Sequence, residues 1–261
     1  MFPMVPVLAL TATANKKDRE AIKLSIGISN AREVVGNPDR KNIFYEKHIR
    51  KGHNIDSIKD ILLPIAEELL NKSVEYPLTI IYLPLQWCGF AYRLFDNVLQ
   101  DNQYYPSGST QIPGNRIFAQ YHAPQTELMK QEILDRLGLP KPTLRVVFAT
   151  VAMGMGVDIP LVRQIIHIGP PHTMRAFLQE TGRAGRDGKP AKSILFWNNH
   201  DIAKNKPGLE DNMRSFCRSE ESCLRVLLLT YQDIDNPKSR NPRHLCCSNC
   251  VPKCSCAECS V

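Results

Sequence analysis

The chain has 261 residues, of which 43% are apolar and 23% are charged, and this balance is ordinary for a globular protein with a buried core. No apolar stretch approaches the roughly 20 residues that a membrane-spanning helix needs, and residues 1–4 have no basic segment or cleavage site typical of a signal peptide. We therefore expect an intracellular protein without a membrane partner. The net charge of +7 fits a polyanionic partner but is too modest to identify one.

The first part of the chain predicts four segments. Residues 5–10 form an uninterrupted apolar run, which predicts a buried strand. A helix is expected over residues 15–25, with Asn15 as its N-cap. Residues 37–52 are polar and basic and indicate a connector. Apolar residues at helical spacing predict a helix over residues 55–72, which Pro64 should kink or divide.

The middle of the chain alternates between apolar segments and helical stretches. β-Branched and other apolar residues predict five strands, at residues 79–83, 117–121, 145–149, 164–168 and 193–197. The clearest helix covers residues 124–137 and is followed by Gly138 and Pro140, which are typical stop signals. Residues 104–115 are rich in Pro, Gly and Ser and indicate a surface loop. This alternation predicts an α/β fold with a parallel sheet covered by helices on both faces.

After residue 197 the composition changes. Residues 198–212 are polar, residues 220–231 predict a helix with a Leu/Val face, and residues 233–243 form a polar linker. Six of the nine cysteines lie within the last sixteen residues. Because a reducing compartment disfavours disulfides, thiols clustered in this way indicate a metal site.

Two segments contain glycines and charged residues in a pattern typical of a ligand site. TVAMGMGVDIP, at residues 150–160, directly follows a predicted strand, and QETGRAGRDG, at residues 179–188, follows a predicted helix that begins near Thr173. Open α/β sheets bind ligands beyond the carboxyl ends of their strands, so such segments are candidate sites.

These two segments resemble the fifth and sixth motifs of superfamily 2 helicases. The sequence of the second is similar to the sixth motif of the RecQ family. Other segments agree in the same order. Residues 5–14 are similar to the third helicase motif, residues 79–83 take the place of the fourth, and Tyr121-His122 matches a RecQ dipeptide. PDRKNIFYE, at residues 38–46, resembles the RecQ segment that leads into the second motor domain, and SCLRVLLLTYQ, at residues 222–232, resembles the start of the RecQ zinc module.

The resemblance implies three regions. Residues 1–36 would be a remnant of the first RecA-like helicase domain, and residues 37–200 would be the second RecA-like domain. Residues 201–261 would be a small helical zinc-binding module with a Cys-rich tail. The chain would then be the C-terminal part of an ATP-dependent 3′–5′ DNA helicase of the nucleus that acts in unwinding, repair and recombination. Its partner would be DNA, single-stranded or as a fork or duplex, bound without sequence preference.

The resemblance also assigns roles to single residues. Arg186 would be an arginine finger and Arg183 a second arginine facing the phosphates, where such a cation typically accelerates phosphoryl transfer by about 10³–10⁵. Gln179 would help to position the water or the nucleotide. A loop containing Gly154, Gly156 and Asp158 would couple the nucleotide state to DNA binding. Thr150 would donate a hydrogen bond to a DNA phosphate.

Four cysteines are the predicted zinc ligands. Cys247 and Cys250 form a C-x2-C pair, the commonest local clamp for structural zinc. Similarity to RecQ modules adds Cys223 and Cys246, so the expected structural Zn²⁺ site is Cys223, Cys246, Cys247 and Cys250. The surplus leaves alternatives open: Cys254, Cys256 or Cys259 could replace one of the four or help to bind a second ion. Cys217 is a further rival for the first position.

The sequence contains neither a phosphate-binding G-x-x-x-x-G-K-[ST] loop nor an Asp-Glu dipeptide. A helicase motor needs both kinds of motif for ATP and Mg²⁺. We therefore expect a fragment that uses ATP and Mg²⁺ only together with the missing first motor domain. Two alternatives remain open: a non-enzymatic module that binds nucleic acid or a partner protein, and a half that completes a split helicase in trans with a chain supplying that domain.

Overall fold

A computed structural model describes residues 6–11, 13–150, 153 and 159–259, and they contain one parallel sheet. The strands of this described part are Ile43–Ile49 (β1), Thr79–Tyr82 (β2), Phe118–Tyr121 (β3), Val146–Ala149 (β4), Gln164–Ile168 (β5) and Ala191–Trp197 (β6). Their order is β1-β6-β5-β2-β4-β3, and every neighbouring pair is parallel. The predicted parallel α/β sheet is confirmed.

Helices lie before, between and after the strands. They are Lys16–Ser25 (α1), Ile55–Lys72 (α2), Leu85–Leu99 (α3), Glu127–Leu137 (α4), Met174–Thr181 (α5), Asp211–Arg218 (α6) and Leu224–Tyr231 (α7). Four of them begin at a residue whose side chain accepts a backbone N–H of the first turn, namely Asn15, Asn54, Thr126 and Thr173. None of the helices in the described part of the chain combines the length and the apolar character that crossing a bilayer requires.

The sheet is buried on both faces because side chains alternate along each strand. On one face, Ile81, Phe148 and Ile166 pack with residues of α2 and α3. On the other face, Ile80 and Ile165 belong to a second apolar cluster that includes residues of α4, α5, α6 and α7. This two-sided burial explains why the sequences of the central strands are continuous apolar runs.

The cysteine-rich segment shares the second of these clusters with the edge strand β1. Cys246, Cys247 and Leu224 belong to the same cluster as Ile43 and Tyr45. Tyr45 forms a parallel bridge with Cys247, and the Ser248 N–H donates to the Tyr45 carbonyl at 2.9 Å. The cysteine segment therefore covers the side of β1 that faces away from β6, where an edge strand would otherwise leave unpaired backbone groups.

Several predicted elements are confirmed. The helix over residues 55–72 has the predicted bounds, although Pro64 does not divide it. Pro64 is exposed, so the carbonyl that loses its helical partner can reach water. The helix capped by Asn15, the five strands after residue 78 and the helix before Gly138 are also present, with shifts of one to three residues at their ends.

Other predictions are wrong. Residues 6–10 form no strand, and Leu8 and Leu10 are 81% and 85% exposed. A strand needs a neighbour for its backbone groups, and none of the described strands pairs with this segment. The expected connector over residues 37–52 contains β1 instead. The sequence analysis also missed α3 and α6.

The last helix, α7, begins at Leu224 rather than at residue 220. The carbonyls of Ser219 and Ser222 both accept hydrogen bonds from the Asn249 side-chain amide, at 2.9 Å each. These bonds fix the preceding residues in a turn, so the helix starts only after Cys223, its N-cap residue.

Candidate functional site

The turn after α5 contains the two candidate arginines and is held by Arg40. The Arg40 guanidinium donates to the carbonyl of Gly182 at 3.0 Å, of Ala184 at 2.9 Å and of Gly185 at 2.8 Å. A planar group with several fixed donors can bind such a set of carbonyls as one rigid unit. Arg40 therefore fixes the backbone from which Arg183 and Arg186 extend.

Asn42 holds the same turn from its other side. Its side-chain amide donates to the carbonyls of Gly185 and Lys189, both at 2.8 Å. Gly185 has a φ of +57°, which L side chains rarely adopt, and a Cβ there would lie 2.7 Å from the Lys189 carbonyl oxygen. The turn therefore needs glycine at position 185 both for its backbone angle and for space.

The two arginines differ in their exposure. Arg186 is exposed, as is Gln179 seven residues earlier on α5, whereas Arg183 is only 4% exposed. Burial raises the pKa of the Tyr82 phenol, and the charge of Arg183 opposes that shift, so Arg183 points toward the interior near Tyr82. The structure therefore brings Arg183, Arg186 and Gln179 to one helix end but presents only Arg186 and Gln179 to solvent.

A buried polar pair supports the helix below this turn. His167 of β5 and Glu180 of α5 form a 2.8 Å contact, and both side chains are more than nine-tenths buried. The His167 ring also stacks on Tyr82, with centroids 5.1 Å apart. A buried polar contact of this kind fixes the orientation of a helix on its sheet.

Thr150 and the turn after α5 lie at opposite edges of the sheet. Thr150 follows the carboxyl end of β4, as predicted, and its N–H donates to the Tyr121 carbonyl at 3.2 Å. The Gly185 N–H donates instead to the Val162 carbonyl, which precedes the amino end of β5. The rule that ligands bind at the carboxyl edge therefore does not apply to the second motif, because α5 runs back across the sheet. Gly154, Gly156 and Asp158 lie outside the described residues.

Four cysteines form a cluster next to β1. The sulfurs of Cys223, Cys246, Cys247 and Cys250 all lie within 4.8 Å of one another. The Cys223–Cys246 and Cys223–Cys247 sulfur distances are 3.5 and 3.9 Å. A tetrahedral zinc site with Zn–S bonds of about 2.3 Å has sulfur–sulfur edges of about 3.8 Å. The four predicted ligands are therefore brought together with a spacing that fits a metal ion.

The electrostatics of this cluster favour one thiolate. Contacts with Cys223 and Cys246 lower the pKa of Cys247, and its sulfur also accepts the Leu224 N–H at 3.3 Å. The same contacts raise the pKa of Cys223. A cation of the thiolate-binding class would stabilise the thiolate forms of this largely buried set.

A second cluster contains His244, Cys254, Cys256 and Cys259, whose ligand atoms also lie within 4.8 Å of one another. It is more exposed than the first cluster. Cys217, the proposed rival ligand, belongs to neither group; it is buried in the apolar core, where burial raises the pKa of its thiol to about 12.

Sequence reasoning missed three residues of these sites. Arg40 and Asn42 lie in the resembling segment PDRKNIFYE, but their contacts with the turn are 142 to 147 residues away in the chain. His244 directly follows the predicted polar linker of residues 233–243 and was not considered as a ligand. Its position two residues before Cys246 was the only signal, and a histidine near clustered cysteines is a common zinc ligand.

Comparison with known proteins finds similar sequences and similar folds among helicases. A model of the helicase conserved C-terminal domain matches residues 105–188. The ATP-dependent helicase wrn-1 of Caenorhabditis elegans is 28% identical over 263 residues, which cover 95% of this chain and 23% of that protein. ATP-dependent DNA helicase Q-like 2 of Arabidopsis thaliana is 29% identical, over 86% of this chain and 30% of that protein.

A third relative is the mouse bifunctional 3′-5′ exonuclease/ATP-dependent helicase WRN, 27% identical over 97% of this chain and 18% of its own length. The chain thus spans less than a third of each of these curated relatives. Among solved structures, the DEAD-box helicase Mss116 bound to ssRNA and UDP-BeF has a TM-score of 0.55 at 19% identity, covering 72% of this chain and 35% of that chain.

Dbp5 of S. cerevisiae, bound to RNA and ADP BeF3, has a TM-score of 0.51 at 15% identity, covering 73% of this chain and 44% of that chain. These two likenesses concern the fold, and they agree with the RecA-like architecture of the sheet. The helicases wrn-1 and WRN each align with nearly the whole chain. The chain is therefore similar to RecQ-like superfamily 2 helicases over nearly its whole length, and residues 105–188 match their conserved C-terminal domain.

Proposed function

We propose that this chain is the second motor half of an ATP-dependent 3′–5′ DNA helicase and acts on ATP and Mg²⁺ bound by a first motor domain. The observation that carries the proposal is the exposed side chain of Arg186 on a turn that Arg40 and Asn42 hold through five hydrogen bonds. A cation fixed in this way can meet the charge that develops on a transferred phosphoryl group without reorganising.

In this proposal, the residues of α5 and of the following turn have different roles. Arg186 contacts the γ-phosphate across the interface between the two motor domains, and the exposed Gln179 positions the water or nucleotide. Arg183 is buried and adjacent to Tyr82, so we assign it the support of the turn from within. Gly154, Gly156 and Asp158 retain the proposed coupling role.

The nucleic-acid partner in this proposal is DNA bound without sequence preference. The relatives named above are ATP-dependent helicases, one of them by name a DNA helicase, and the net charge of +7 favours a polyanion. Thr150, half-buried at the end of β4, would donate to a phosphate. Phosphate contacts of this kind provide affinity without sequence information. Family resemblance also supports the nucleus as the site of action.

We further propose that Cys223, Cys246, Cys247 and Cys250 bind a structural zinc ion. Four thiolates leave no open coordination position, which is typical of structural rather than catalytic zinc. In this proposal, residues 1–36 belong to the first motor domain, residues 37–200 form the second motor domain and residues 201–261 form the zinc module.

The proposed activity is tested by fusing this chain to the first motor domain of a RecQ-like relative and measuring unwinding of tailed duplexes. We expect ATP-dependent unwinding of a duplex with a 3′ single-stranded tail and little unwinding of the matching duplex with a 5′ tail. The isolated chain, which has no phosphate loop, should unwind neither. A fusion that binds DNA and ATP but neither hydrolyses ATP nor unwinds either duplex would favour the non-enzymatic alternative.

A further inference from the structure

The second Cys/His cluster lies at the end of the described chain and is separate from the four cysteines near β1. His244 lies in the short helical turn Arg243–Leu245, and the three cysteines lie just after the turn Val251–Lys253. Neither cluster uses a residue of the other. The second cluster therefore requires its own explanation.

The ligand atoms of this cluster have the spacing of a coordination tetrahedron. His244 Nδ1 lies 3.5 Å from Cys254 Sγ, 3.2 Å from Cys256 Sγ and 3.4 Å from Cys259 Sγ. Cys254 Sγ and Cys256 Sγ are 3.5 Å apart. With Zn–N bonds of about 2.0 Å and Zn–S bonds of about 2.3 Å, the nitrogen–sulfur edges of a tetrahedral site are about 3.5 Å. All three sulfurs thus converge on the same nitrogen of the imidazole at the expected separation.

The other nitrogen of the imidazole has a partner of its own. His244 Nε2 lies 3.1 Å from Glu258 Oε2. Histidines that bind metals usually donate their second ring N–H to a carboxylate or carbonyl, which fixes the tautomer and leaves the opposite nitrogen as the ligand. The Glu258 side chain is 80% exposed. It contacts the His244 ring although water surrounds most of its surface. The pair is an independent observation that points to a ligand on Nδ1.

The local backbone brings these side chains together. The Cys254 N–H donates to the Val251 carbonyl at 3.1 Å, and the Cys259 N–H donates to the Cys256 carbonyl at 2.9 Å. Lys253 ties the turn to the residues before α7, because its ammonium donates to the Glu221 carbonyl at 2.7 Å. These contacts are few and mostly exposed, so they alone would leave residues 251–259 weakly held.

We propose that His244, Cys254, Cys256 and Cys259 bind a second zinc ion, distinct from the one assigned to Cys223, Cys246, Cys247 and Cys250. Three thiolates and one imidazole make a closed structural set. Because His244 is only two residues before Cys246, the two ions flank one short turn. The second ion thereby fixes the tail of the chain against the segment that holds the first.

The test counts metal ions in the full-length chain. We expect about two zinc ions per chain by elemental analysis of the purified protein. Cys259→Ser and His244→Asn should each lower the count to about one, Cys250→Ser should also lower it to about one, and Ser255→Ala, an exposed change between two ligands, should leave two.

Cobalt substitution provides a second readout, and its first measurement uses the parent chain alone. The first site offers four thiolates and the second three with one imidazole, so cobalt titrated into the metal-free parent should give thiolate–cobalt absorption that saturates at two equivalents. Glu258→Gln should keep both ions, but a chelator should remove one of them at about tenfold lower concentration, as expected for loss of a carboxylate behind a ligating histidine.

The outcomes separate the two sites. A parent with one zinc ion that Cys250→Ser removes and Cys259→Ser retains would overturn the second site and leave the first in place. A parent with one ion that only Cys259→Ser and His244→Asn remove would support the second site and overturn the first. Saturation at one equivalent of cobalt in the parent, with spectra unchanged in His244→Asn, would also overturn the second site.

Discussion

Arg225 of α7 forms an ion pair with Asp39, which lies just before β1, and the Arg225 side chain is almost completely buried. The same guanidinium donates to the carbonyls of Arg40 and Ile43. Arg40 in turn holds the turn that contains Arg186. A continuous set of polar contacts therefore links the helix that begins at the cysteine cluster with the proposed arginine finger.

This relationship predicts a large loss of stability when Arg225 is removed. Breaking a buried ion pair by deleting one partner typically costs about 3–5 kcal/mol, because the other charge stays buried without compensation. Arg225→Ala should therefore lower the free energy of unfolding by about that amount in urea titrations. The exposed Arg32→Ala change is the matched control and should have little effect. An Arg225→Ala protein as stable as the control would contradict the role of this pair.

Arg40 should control the order of the turn after α5. Arg40→Ala removes three donors from the carbonyls of Gly182, Ala184 and Gly185. Hydrogen bonds from charged groups contribute about 1.5–3 kcal/mol each, so hydrogen exchange of residues 182–188 should accelerate by at least tenfold. Lys41→Ala, which alters an exposed neighbour, should leave that exchange unchanged. Unaltered exchange in Arg40→Ala would show that the turn is held by other contacts.

Removal of the first metal ion should affect β1 as well as the cysteine segment. Tyr45 of β1 contacts Cys247 and Ser248 directly, so loss of the metal should loosen β1 together with the cysteine segment. After chelation, or in Cys247→Ser, hydrogen exchange should increase in residues 43–49 and 246–250 and stay slow in β2 at the centre of the sheet. Exchange in β1 that is unaffected by chelation would mean that the cysteine segment docks without its metal.

Binding to single-stranded DNA should weaken steeply with salt. Each neutralised phosphate contributes a slope of about −0.7 to a plot of log affinity against log salt for single strands. Fluorescence anisotropy with two unrelated oligonucleotides of equal length should give equal affinities and a negative slope for both. A strong preference for one sequence, or an affinity independent of salt, would argue against phosphate contacts.

The elements predicted correctly from the sequence are those whose apolar pattern lies within the element itself. The helix α2 follows from apolar spacing, and the central strands follow from apolar runs that two-sided burial produces. The edge strand β1 was missed because its burial falls from Ile43 at one end to an exposed Ile49 at the other, and its Glu, Lys and His residues resemble a polar connector.

Parts of the candidate site depend on contacts that no local pattern encodes. The four cysteines of the first cluster were predicted as a set from their spacing and family resemblance, and the structure brings them together. The roles of Arg40, Asn42 and Arg225 depend on partners more than 140 residues away in the chain. The difference in exposure between Arg183 and Arg186 depends on which of them faces Tyr82, and three residues of spacing do not reveal that.

The central claim is that Arg186 stabilises the transition state of ATP hydrolysis on a first motor domain. The most direct measurement is the DNA-stimulated ATPase of this chain fused to the first motor domain of a RecQ-like relative, compared with its Arg186→Ala variant and with Lys189→Ala, an exposed change in the same turn. Arg186→Ala should lower kcat by about 10³ and alter the Kd for ATP by only a few fold, while Lys189→Ala stays near the parent. A kcat of Arg186→Ala equal to that of the parent would contradict the account.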